Sequence, residues 1–121
     1  MRLGDSSMPH DPVKLLHDIV DAAEFILEQT RGRSLAEYEQ SRLVRGAVER
    51  NFIIIGEALS RLKRVDTAMA GALGDFPQMI AFRNIVVHGY DAVDDAVVWG
   101  IIQNEVPRLL IAARAMLKRQ A

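Results

Sequence analysis

"AVERNFIIIGEAL", residues 47–59, decides how this chain is built. Read with its flanks at about 100° per residue, Val44, Val48, Phe52, Ile55, Leu59 and Leu62 fall on one stripe, the pattern of an amphipathic helix. Glu57 lies roughly opposite that stripe. With Arg61 it makes an i,i+4 pair worth about a few tenths of a kcal/mol, so it is read as surface or interface structure rather than as a catalytic group. Ile53 and Ile54 also lie off the stripe and widen the apolar surface beyond what one bundle face needs. Gly56, in mid-helix, costs roughly 1 kcal/mol against alanine, which points to close approach of another backbone.

The remaining segments follow the same 3.6-residue period. Upstream, Asp11 is an N-cap and Pro12 a first helical residue for a helix that stops near Gly32 and buries Leu16, Ile19, Val20, Ala23 and Leu27. "SLAE" (34–37) is a capping box that opens a second helical stretch, re-started at Ser41 and running to about Arg64. "DTAMAGALGD" is a gap rich in small residues. A shorter helix begins near Phe76-Pro77 and stops at Gly89, and a last one starts near Asp94 and carries Val97, Val98, Ile101, Ile102, Leu109 and Ala113, with Trp99 read as core. Pro107 removes a backbone donor inside it and predicts a kink or a split. The expected class is all-α, an antiparallel bundle of four to five helices over residues 11–121, with residues 1–10 as an N-terminal tail.

Composition narrows the function classes. The 121 residues suit one domain, and 50% hydrophobic with 26% charged is a soluble globular balance. The longest apolar runs are too short to span a bilayer, the N-terminus has no apolar signal-peptide core, and the absence of cysteine fits a reducing compartment; a cytoplasmic protein without membrane attachment is expected. A net charge of −1 means that any nucleic-acid contact must use a local patch. The segment 31–64 holds a basic excess suited to RNA or an acidic partner, and equally to a solvated face of mixed charges. His10 and His17 have no carboxylate at ligand spacing, so neither a metal nor another cofactor is expected.

"FRNIVVHGYD" (82–91) carries the chemistry. On a helical projection Phe82, Ile85, Val86 and Gly89 share one arc, the core side by composition, while Arg83, Asn84, Val87, His88 and Tyr90 occupy the other. Histidine moves protons near neutral pH, arginine offers a charged fork for phosphate, asparagine orients an oxygen, and tyrosine stacks or presents a hydroxyl. Together they suit a phosphodiester. The residues of this one helix are equally well read as a solvated polar side with a histidine near the C-terminal dipole.

The flanks make the pattern specific. "AVERNFIIIGEAL", then "FRNIVVHGYDAVDDAVVWGII" (82–102), then "VPRL" (106–109) stand in the order and spacing of HEPN-domain proteins of the HepT-like family, and the chain resembles them from about Pro12 to its end. That family provides the toxin half of a prokaryotic toxin–antitoxin pair whose other half is a minimal nucleotidyltransferase. The resemblance implies a homodimer with a metal-independent endoribonuclease site shared across a cleft. Arg83 and His88 match the catalytic pair, Asn84 matches the polar position beside the arginine, and Tyr90 matches the tyrosine that the partner nucleotidyltransferase modifies with AMP. RNA is the implied substrate. The other function class is a non-catalytic HEPN module that scaffolds a nucleotidyltransferase.

Overall fold

The computed structural model describes residues 11–87 and 93–120. Six α-helices are present among them: α1 (Pro12–Thr30), α2 (Leu35–Gln40), α3 (Arg42–Val65), α4 (Thr67–Leu73), α5 (Pro77–Val87) and α6 (Asp95–Gln120). The expected all-α class is observed. The tail 1–10, with His10, and the segment carrying His88, Gly89 and Tyr90 lie outside the described residues, as do the side chains of Val86 and Val87.

Each boundary has a local cause. The Asp11 carboxylate accepts from the Val13 amide at 3.0 Å, and Pro12, which has no amide hydrogen to leave unpaired, opens α1. Past the end of α1, Gly32 takes φ 75°, a left-handed turn that a side chain would strain. The capping box closes as its sequence predicts: the Glu37 amide donates to the Ser34 hydroxyl at 3.1 Å and the Ser34 amide donates to the Glu37 carboxylate at 2.8 Å. That amide contact holds the Glu37 carboxyl below the usual carboxylate range. Ser41 then ends α2 and caps α3 through the Val44 amide at 3.2 Å.

The segment read as a gap is in part helical. Asp66 accepts from the Met69 amide at 2.9 Å and starts α4, which stops at Gly74 with φ 122°. An N-cap and a C-terminal glycine were both present in the sequence, but "TAMAGAL" has too little apolar periodicity to announce a helix. Nor does Pro107 split the last helix, because α6 runs through it without a break. The carbonyl that Pro107 leaves without its donor belongs to Gln103, an exposed residue on a surface groove between α6 and the end of α1, where water can take the missing bond.

α3 is the central element and packs against α1, α5 and α4, while α6 closes the bundle on α1. The whole predicted α3 stripe is buried: Val44, Val48, Phe52, Ile55, Leu59 and Leu62. So are Leu16, Ile19 and Ala23 of α1, and Val98, Ile101, Ile102, Leu109 and Ala113 of α6. Val20 and Leu27 are half-buried against this core. Trp99 is also only partly buried; it leans on the enclosed Tyr38 with ring centroids 5.4 Å apart. Val97, expected in the core, is 55% exposed, because it falls on the outer side of the first turn of α6. Arg114 pairs with Glu24 and ties α6 to α1.

Candidate active site

The site is built where α5 crosses α3, and the crossing differs from the projection drawn from sequence. Phe82 is buried and packs on Phe52 with ring centroids 5.2 Å apart, and Phe76 and Met79 are buried beside it. Ile85, assigned to the core side, is 37% exposed. With Met79 and Phe82 buried and Ile80 half-buried, the packed arc of α5 spans about -100° to 60° around Arg83, and Ile85 falls about 200° from Arg83 on the outer side. Arg83 therefore starts from the inward face instead of a solvated one.

Gly56 is the physical reason. A Cβ built on it would lie 2.5 Å from the Arg83 Cβ, 2.9 Å from its Cγ and 3.3 Å from the Met79 carbonyl oxygen. The two helices touch through that missing methyl group, as the mid-helix glycine predicted. The aliphatic stem of Arg83 lies against the α3 backbone while its charged head turns outward, leaving the side chain 30% exposed.

The guanidinium is bracketed on two sides. One terminal nitrogen donates to Asn84 Oδ1 at 2.8 Å, and the other faces Glu57 Oε2 at 3.5 Å. Arg83 Nε is buried and has no acceptor among the described residues. Glu57 thus pairs with a residue of another helix, and among the described residues it forms no ion pair with Arg61. Of the residues singled out in the sequence, Arg83 and Asn84 are brought together, and Glu57, read as surface or interface structure, joins them. Its place in the site could have been suspected from its position beside Gly56, the residue that marks where another helix crosses.

Three other titratable groups among the described residues are shifted by burial. Glu105 of α6 is 8% exposed and one of its carboxylate oxygens has no partner. Burial pushes its carboxyl up, which Arg108 and the Met79 and Gln78 amides at the start of α5 only partly offset. Burial also raises Tyr38 and Glu49, each further raised by Asp95. Among the described residues no three His, Asp or Glu side chains are grouped so as to hold a metal ion, and no helix is long and apolar enough to cross a membrane.

The fold and this corner define an all-α bundle that presents an oriented arginine at a helix crossing. Residues 19–116 match the family described as "Ribonuclease HepT-like". A protein of Methanocaldococcus jannaschii named as a putative RNase is 31% identical over 82% of this chain and 90% of its own length. A protein of Thermococcus cleftensis named as a probable ribonuclease HepT is 30% identical over 78% of this chain and 84% of its own, and one of Caldanaerobacter subterraneus, also named as a putative RNase, is 24% identical over 90% and 96%. No solved structure matched. The chain belongs to the HepT-like ribonuclease family.

Proposed function

We propose that this protein is a metal-independent endoribonuclease that cuts RNA through the RNA's own 2′-hydroxyl. The observation that carries the reading is the held guanidinium of Arg83, a permanently charged donor fork at a helix crossing, within a chain of a ribonuclease family. In the proposed reaction the 2′-oxygen attacks the adjacent phosphorus and the bond from phosphorus to the 5′-oxygen breaks. The products are a 2′,3′-cyclic phosphate and a 5′-hydroxyl. His88 takes the proton from the attacking hydroxyl or delivers one to the leaving oxygen, and Arg83, supported by Asn84, stabilises charge gathering on the phosphate oxygens.

The remaining parts of the reading are a homodimer and a toxin–antitoxin role. The outward side of α3 supports the first. Leu43 is 85% exposed, and Gly46, Ala47, Ile53 and Ile54 continue a largely apolar strip along the helix, broken by the exposed Arg50, that ends at Glu57 and Arg83. A second copy seated there in two-fold symmetry would bring two Arg83 side chains to one cleft. Tyr90 would be the position that a partner nucleotidyltransferase modifies with AMP, adding a phosphate that Arg83 can bind and a nucleotide that excludes RNA.

Brief induction of the chain alone, with mapping of the RNA ends produced, tests the proposal. Growth arrest with new 2′,3′-cyclic phosphate ends that vanish in the Arg83→Ala variant is expected. Unchanged RNA and growth would favour a scaffold for a nucleotidyltransferase instead.

A further inference from the structure

We infer that Gly56 and Glu57, adjacent on α3, form a seat that fixes the direction of the Arg83 guanidinium, which makes Glu57 a positioning residue for cleavage. The consequence for rate rests on the ribonuclease reading above; the seat itself does not. Two contacts at different heights of one side chain define it. At the stem, the missing side chain of Gly56 lets Arg83 Cβ and Cγ lie against the α3 backbone, so the first torsions of the arginine are set by packing. At the head, the Glu57 carboxylate stands 3.5 Å from one terminal nitrogen while Asn84 takes the other at 2.8 Å.

The geometry leaves work for the arginine to do. Each terminal nitrogen carries two N–H groups, so neither is used up by the Asn84 hydrogen bond and the Glu57 ion pair. N–H groups left on both terminal nitrogens can serve two oxygens of one phosphate, a bidentate contact that a wandering side chain would make only part of the time. Asn84 alone cannot hold the fork, because it is exposed and stands on the same helix, next to Arg83 in sequence. Glu57 supplies the second fixed point from another helix.

The pair adds little to folding. The two side chains are 30% and 37% exposed, and ion pairs of that exposure are screened and offset by ordering of long side chains. Removing the carboxylate should therefore loosen the arginine without unfolding the bundle. A misplacement of about 1 Å in a charged group of this kind costs on the order of a hundredfold in rate.

The test compares the full-length parent with Glu57→Gln and Glu57→Leu by two readouts, after circular dichroism shows the same helix content. The first is the 1H–15N signal of the Arg83 Nε–H, assigned by its loss in Arg83→Lys, whose heteronuclear NOE reports how ordered the guanidinium is. The second is steady-state cleavage of a single-stranded RNA. Lower order at Arg83 is expected in Glu57→Leu, with kcat down about ten- to a hundredfold and KM within about twofold, and an intermediate result in Glu57→Gln. Unchanged Arg83 order in Glu57→Leu would overturn the seat whatever the activity. A lowered KM at unchanged kcat would also overturn it, by showing that Glu57 merely competes with phosphate. A parent that cuts no RNA, with Arg83 still loosened by Glu57→Leu, would leave the seat standing and remove the ribonuclease reading.

Discussion

Arg83 rests its stem on the backbone of Gly56, so closely that a methyl group on Gly56 would stand 2.5 Å from the Arg83 Cβ. Gly56→Ala should therefore harm function more than fold. Alanine restores about 1 kcal/mol of helix propensity but forces α3 and α5 apart, at a cost of roughly 1–3 kcal/mol. A net loss of up to about 2 kcal/mol is expected in urea unfolding, with a larger proportional loss of RNA cleavage. A variant as active and as stable as the parent would show that the close approach is relieved without consequence.

His88→Ala should abolish cleavage and growth arrest while the melting temperature stays within a few degrees of the parent's. Arg83→Ala should abolish both as well, but it also strips apolar stem from the crossing with Gly56, so a loss of about 1 kcal/mol is expected in unfolding. Residual cleavage near the parent's level in either variant would sink the proposed roles.

Glu105 gives a pH prediction with a definite sign. Its carboxyl is pushed up by burial, so the folded state favours the protonated form. The stability this contributes is complete below the unfolded carboxyl's pKa and is lost as pH rises through the higher folded value. Glu105→Gln removes the titration. The difference in Tm between variant and parent should thus move in the variant's favour from about pH 4 to about pH 7. A difference that is flat with pH, or that moves the other way, would contradict it.

Reversing the character of the apolar strip on α3 tests the proposed dimer. The parent should show about twice the chain mass in light scattering. Leu43→Arg should give the monomer mass with the helix content kept, because Leu43 is 85% exposed and its replacement opens no cavity in the core. A monomeric parent at micromolar concentration would rule out a shared cleft.

Co-expression with a cognate minimal nucleotidyltransferase should add one or more AMP units, read by intact mass, and peptide mapping should place them on Tyr90. Cleavage should disappear with the modification. If Tyr90→Phe is silenced as fully as the parent, contact with the partner and not modification must do the silencing.

Local chemistry determined the starts of α1, α2 and α3, and the sequence alone sufficed for them. Asp11, Ser34 with Glu37, and Ser41 each cap an amide two or three residues away, so the cap and its partner are visible in one short window. The same holds for the α3 stripe, whose period needs no knowledge of what covers it. Family membership was legible too, since it rests on motif order along the chain. The tertiary structure alone decided which way α5 is turned and what Glu57 touches. Periodicity put Ile85 inside and Arg83 outside, because isoleucine is apolar and arginine charged; in the bundle Ile85 is left 37% exposed, and Gly56 opens a gap that admits the arginine's stem while its head reaches out. Arg61 stands four residues from Glu57 on the same helix, whereas Arg83 is a neighbour only once α5 lies across α3. A partner on another helix is set by packing, and no spacing within a single segment encodes it.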